Sequence, residues 1–356
     1  MAADVEFLRE LSLAPGPSGF EEPVQEIVRR RLERTAVPQT DVLGNVAAEV
    51  NAEGHPHVVV EAHVDQIGLQ VTCVDERGFV YFDKIGSVDP LLLPGRKMSI
   101  HSAAGPVTAV VGKRPTHMIP DDERGRAQAI HEQWLDIGAD DREAALARVA
   151  IGDSITFAPD FVELSSGIVT GRAMDDRCGV YVAVRALEDY AAAPGAARLT
   201  AVSSVQEETR YMGALASARA MAPECVIVVD GDFTTDQPEV EPRRAGGLIE
   251  LGGGPVLGRG GSSNPRLFAL AVEVAAAAGV AVQVKAYPGD TETDAEVLQA
   301  AGAGVACLCV GLPMRYMHSP HEVAAVDDLE ACVRLVVALV QRLGEVFAPG
   351  YFVPRP

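Results

Sequence analysis

HVVVEAHVD, residues 57–65, is an apolar, β-branched run that closes on a histidine and an aspartate. Such a run reads as a strand buried on both faces. Metal-competent side chains at its carboxyl end are poor core fillers and ask for another explanation. The pattern recurs along the chain. LTAVSSVQ (199–206) is followed by Glu207 and Glu208, CVIVV (225–229) by Asp230, and VACLCVGL (305–312), after a short loop, by His318. Open α/β sheets place their sites outside the carboxyl ends of their strands. Asp175 and Asp176 precede a helical pattern, RCGVYVAVRALEDYAA (177–192), at another natural site position.

Working outward, residues 3–35 read as two helices broken at APGPSG (14–19), and GNVAAEV (44–50) as a strand. LEACVRLVVALVQRLGEVF (329–347) is an amphipathic helix. LFALAVEVAAAAGVAVQV (267–284) is interrupted by Glu273, so it reads as a helix feeding a strand rather than a membrane span. Strands alternating with helices indicate an α/β fold whose central, mostly buried sheet is flanked by helices. Between about 67 and 165 the character changes to strand-like segments separated by glycine and proline turns, such as LQVTCVD, GFVYFDKIG and KMSIHSAAGPVTAVVG. A polar, helix-breaking piece, THMIPDDERGRA (116–127), interrupts them. This stretch is expected to be a small β-barrel-like domain inserted into the main one. The chain then divides into catalytic parts at 1–66 and 166–356 around an insertion at 67–165 that carries no expected ligand.

The 356 residues are 48% hydrophobic, enough for a sizeable core. With 30 basic and 50 acidic residues the net charge is −20, which repels nucleic acid and anionic membrane. The start, MAADVEFLRELSL, carries acids where a secretory signal would be apolar, and the six cysteines form no C-x-x-C pair. A cytoplasmic location with reduced thiols is expected.

Each polar residue has an ordinary reading when taken alone. Asp175 and Asp176 suit a helix cap and first-turn acid. Glu207 and Glu208 suit a solvated loop, and His318 before Ser-Pro suits a turn. Four strand ends carrying such residues together are improbable in a sheet with no site there. The chemistry fits two cations, which need a bridging carboxylate and about two further ligands each. A carboxylate left off the metals can take a proton from a bridging water. The glycine-rich pieces GGGP (252–255) and GRGG (258–261) lack the lysine of a phosphate loop and read as turns.

Taken together, AHVDQIG (62–68), GKRPTHMIPDDER (112–124), DIGA (136–139), IGDSITF (151–157), AMDDRCG (173–179), VQEE (205–208), VVDGDFTTDQP (228–238), TDA (293–295) and RYMHSP (315–320) are highly specific. Over nearly its whole length the chain resembles the tetrahedral aminopeptidases, the glutamyl and deblocking aminopeptidases of the two-metal peptidase clan. The resemblance implies removal of N-terminal residues from short peptides by a metal-activated water. It implies two divalent ions per chain, zinc or cobalt and also manganese. His63 and Asp230 then hold one ion, Glu208 and His318 the other, and Asp175 bridges. Glu207 is implied as general base, and Asp65 as the acid that orients His63. Asp232 rivals Asp230, which directly ends its strand. A homo-oligomer is implied too, with dimers building a hollow tetrahedral dodecamer.

The chain departs from the family at Gln66, where Glu is usual, at Thr209-Arg210-Tyr211-Met212, where Val-Gly-Leu-Arg is usual, and in TETDA (291–295), where glycines are usual. These departures are expected near the substrate pocket. An Arg210 facing the pocket would favour acidic N-terminal residues; one facing solvent would leave a neutral preference. Two other readings compete with this one. An endoglucanase-type glycoside hydrolase using Glu207 and Glu208 leaves His63, Asp230 and His318 unused. A non-catalytic metal-binding assembly protein leaves Glu207 without a purpose.

Overall fold

The structure, a computed structural model, describes residues 3–123 and 125–353. Met1, Ala2 and Arg124, the last residue of GKRPTHMIPDDER, lie outside that range. At the centre are four parallel strands, in the order Arg198–Ser204, His57–His63, Cys225–Phe233 and Ala306–Arg315. The sheet continues through antiparallel neighbours at both edges, Val46–Val50 on one side and Glu322–Ala325 on the other. The central runs are mostly apolar because both faces are covered. Side chains alternate between the faces. Val58, Val60, Ile227 and Val229 meet the long helices Met174–Ala192 and Val326–Val346, whereas Val59, Val226 and Val228 meet the shorter Met212–Met221 and Ala295–Leu298. The run 267–284 is a helix, Pro265–Ala278, feeding a strand, Gln283–Tyr287. No helix among the described residues is long and apolar enough to cross a membrane.

The insertion is a closed six-stranded barrel with its own core of Leu69, Val71, Phe82, Met98, Ile100 and Ile155. Its strands run from Gly68–Val74 to Ser154–Phe157. Phe161–Ser165, which the sequence reading grouped with the insertion, pairs instead with Ile168–Gly171 at the far edge of the main sheet. The expected α/β sheet with an inserted barrel is therefore what the chain builds.

The glycine-rich turn before strand Val256–Gly260 is closed by an acid. The amides of Gly252 and Gly254 donate to the two carboxylate oxygens of Asp328, both at 2.8 Å. That contact occupies the backbone donors a phosphate would need.

Candidate metal centre and active site

Register brings the first group together. Val228 pairs with Glu61 and Ser204 with His63, so two residues beyond Val228 the Asp230 carboxylate comes abreast of the His63 ring. His63 Nε2 lies 3.6 Å from Asp230 Oδ1, 3.5 Å from Asp175 Oδ1 and 3.8 Å from Glu207 Oε2. The second group forms around His318, whose Nε2 lies 3.2 Å from Asp175 Oδ2 and 3.5 Å from Glu208 Oε2. Asp175 therefore offers one oxygen to each imidazole.

Asp175 and Asp176 part ways at the head of helix Met174–Ala192, joined by a cis peptide bond. Asp176 is the cap, its Oδ1 accepting the Gly179 amide at 3.0 Å, while Asp175 turns into the site. Glu207 and Glu208 can serve different groups because their strand has already ended at Ser204. Gln206 takes a left-handed backbone, φ 63°, and a short helical turn, Glu207–Arg210, begins. The Asp65 carboxylate pins that turn: its oxygens accept the amides of Glu207 at 3.0 Å and Glu208 at 3.1 Å, and face His63 Nδ1 at 3.4 Å. Ser18 donates to the same carboxylate at 2.5 Å, and Glu21 accepts the amide of Gln206 at 3.2 Å. Asp232 is engaged elsewhere, paired with the Lys285 ammonium and bonded at 2.6 Å to the Tyr287 hydroxyl.

The donor set fits divalent cations. Ligands about 2.1 Å from a shared ion at tetrahedral angles stand roughly 3.4 Å apart, and the spacings within each group scatter about that value. Burial and neighbouring acids push the carboxyls of Glu207, Glu208 and Asp230 up, as expected where negative charge awaits a counter-ion. Asp175 goes the other way: against the cost of burial, the imidazoles facing its oxygens hold it below the usual carboxylate range.

A cavity of about 400 Å³ opens over these groups. Ser87 from the barrel lines it, as do Tyr211, Phe233, Lys285, Tyr287, Asp290 and Glu292. Two of the departures do not lie there. Gln66 is buried, its amide oxygen facing Arg177 Nη2 at 3.0 Å, and Arg210 is exposed and is not among the residues lining the cavity. Gln66 thus does not line the pocket as expected, and Arg210 takes the solvent-exposed alternative, whereas Thr209, Tyr211 and Thr291 to Thr293 do line it. Ser18, Glu21, Lys285, Asp290 and Glu322 were not singled out from sequence. The one local signal among them is an acid four residues after His318.

A sheet with a parallel centre and imidazoles and carboxylates grouped at its strand ends defines a class, the α/β proteins with a candidate metal site. The pattern of the M42 glutamyl aminopeptidases matches residues 44–335, and the chain belongs to that family. It is 34% identical over 348 residues to the lysyl aminopeptidase of Pyrococcus furiosus, covering 96% of this chain and 97% of that one. A TET aminopeptidase from a marine-sediment thaumarchaeote superposes with a TM-score of 0.90 at 28% identity, covering 95% and 96% of the two chains. The TET1 peptidase of Pyrococcus horikoshii, which can assemble into a tetrahedron or a large octahedral shell, gives 0.85 at 28% identity over 94% and 98%. The protein is thus a hydrolase of the aminopeptidase class.

Proposed function

We propose that this aminopeptidase works with two divalent cations, zinc, cobalt or manganese, and removes basic residues from the N-termini of short peptides. One observation carries the two-ion reading: the oxygens of Asp175 face two imidazoles from separate groups, at 3.5 and 3.2 Å. In this reading His63 and Asp230 hold one ion, Glu208 and His318 the other, and Asp175 both. Bound there, the ions would polarise the scissile carbonyl and acidify an attacking water. Glu207 Oε2, the carboxylate oxygen farthest from His63 Nε2 of the three facing it, accepts the proton of that water and delivers it to the leaving amine. Asp65 keeps the His63 ring and the Glu207 backbone in place.

The preference for basic residues rests on the cavity's charge. Lys285 is the one ammonium or guanidinium side chain lining it among the described residues, and Asp232 neutralises it. Asp290 and Glu292 are exposed at its wall. The similar enzyme of Pyrococcus furiosus is a lysyl aminopeptidase. A homo-oligomeric shell accompanies this reading, because the TET1 peptidase forms one and aligns over nearly the whole chain, barrel included. The test is hydrolysis of Lys-, Arg-, Leu- and Glu-anilides before and after chelation, with zinc, cobalt or manganese added back. Activity that survives exhaustive chelation overturns the two-ion reading. Release of reducing sugar independent of metal would favour a glycosidase.

A further inference from the structure

Both donors that meet the second group from irregular backbone are held by one carboxylate outside the donor set. Glu322 begins the strand Glu322–Ala325 and is buried, 2% exposed. Its Oε2 accepts the amide of Asp175 at 3.1 Å and its Oε1 the amide of His318 at 2.8 Å. Both amides need a partner for a reason visible in the chain. Asp175 lies ahead of the regular helix at φ −80°, ψ 109°, so its amide has no helical acceptor. His318 stands at φ 60°, a left-handed conformation costly for a residue with a side chain. Nothing regular fixes either backbone, and they approach from different elements 143 residues apart.

We propose that Glu322 is a positioning residue that sets the spacing between Asp175 and His318, and so fixes the second cation group. This rests on the two-ion reading above. Its two oxygens serve two different amides, so only a carboxylate does both jobs. A glutamine keeps one acceptor and turns an NH2 toward the other amide, where two donors face each other.

The experiment compares wild type with Glu322→Gln and Glu322→Ala. Cobalt titration by calorimetry reads the ions, and hydrogen exchange of the metal-free protein reads the peptides carrying residues 173–178 and 315–322. The ion assigned to Glu208 and His318 should bind roughly 10- to 100-fold more weakly in both variants, and the other ion, which shares only Asp175 with it, should be weakened less. The two peptides should exchange faster in both variants without metal, at unchanged protection of the central strands. Wild-type affinity and exchange in a folded Glu322→Gln protein would overturn the proposal, as would equal weakening of both ions. Should Glu322→Ala fail to fold, Glu322→Gln, which keeps the size, decides alone. If wild type binds fewer than two ions, the two-ion reading fails, and the exchange data still report whether Glu322 holds these segments.

Discussion

Glu207 and Glu208 are neighbours in the chain and belong to different donor groups. Sequence alone shows two adjacent acids, and on a regular strand they would face opposite ways. The left-handed Gln206 and the Asp65 clamp resolve this by turning the backbone before Glu207. The two should therefore fail differently. Glu207→Gln is expected to keep both ions and lower kcat by roughly 10²- to 10⁴-fold. Glu208→Gln is expected to release one ion. Metal content after dialysis, set beside kcat, separates them; equal metal loss would make Glu207 a ligand. Asp290→Asn with Glu292→Gln should lower kcat/KM for Lys-anilide at least tenfold and leave Leu-anilide within about twofold, a loss of about 1.4 kcal/mol in discrimination. What was legible at this scale was whatever a strand end announces, as at His63 and Asp230. Glu21 and Glu322 act by accepting backbone amides from remote segments and Ser18 by donating its hydroxyl to Asp65, and no spacing in the sequence records such contacts.

The strands carry their own electrostatic signature. His57 opens the strand that His63 closes, and its Nε2 lies 2.8 Å from the Thr200 hydroxyl of the neighbouring strand. Burial, aided by the Arg198 guanidinium, holds the imidazole down at about 4. A histidine with a depressed folded pKa contributes stability that is complete above its unfolded value near 6.5 and is lost as pH falls through about 4. The contribution is at most about 3 kcal/mol. Thermal melts of His57→Gln should accordingly show a smaller loss of Tm between pH 7 and 4.5 than wild type; parallel curves would refute the assignment. Element types were readable because a strand buried on both faces and an amphipathic helix each leave a period. Where the barrel stops was not, since Phe161–Ser165 has the same strand-like composition as the barrel and differs only in its partner.

At the scale of the whole molecule, catalytic sheet and barrel have separate cores, yet Gly86 and Ser87 at the end of a barrel strand reach the site. A side chain at Gly86 would meet Ile67 at 2.9 Å and Glu208 Oε2 at 3.2 Å, and its φ is +72°. Gly86→Val should thus impair metal binding through Glu208 from outside the catalytic sheet. Light scattering of wild type is expected to show a large, discrete homo-oligomer, and a monomer at micromolar concentration would contradict the shell. The sheet-plus-barrel plan was legible from composition; the reach of one into the other was not, because it depends on a close approach that only glycine permits.

The clustered donors are drawn from positions 63, 175, 207, 208, 230 and 318, brought together by register rather than by proximity in the chain. During synthesis the first of them leaves the ribosome some 255 residues before the last. A nascent or truncated polypeptide therefore lacks the His318 arm of the cluster however well its earlier part has folded. Competence to cut other chains arrives only after nearly all of this one has been made, which gives a peptide-destroying enzyme an interlock written into its connectivity.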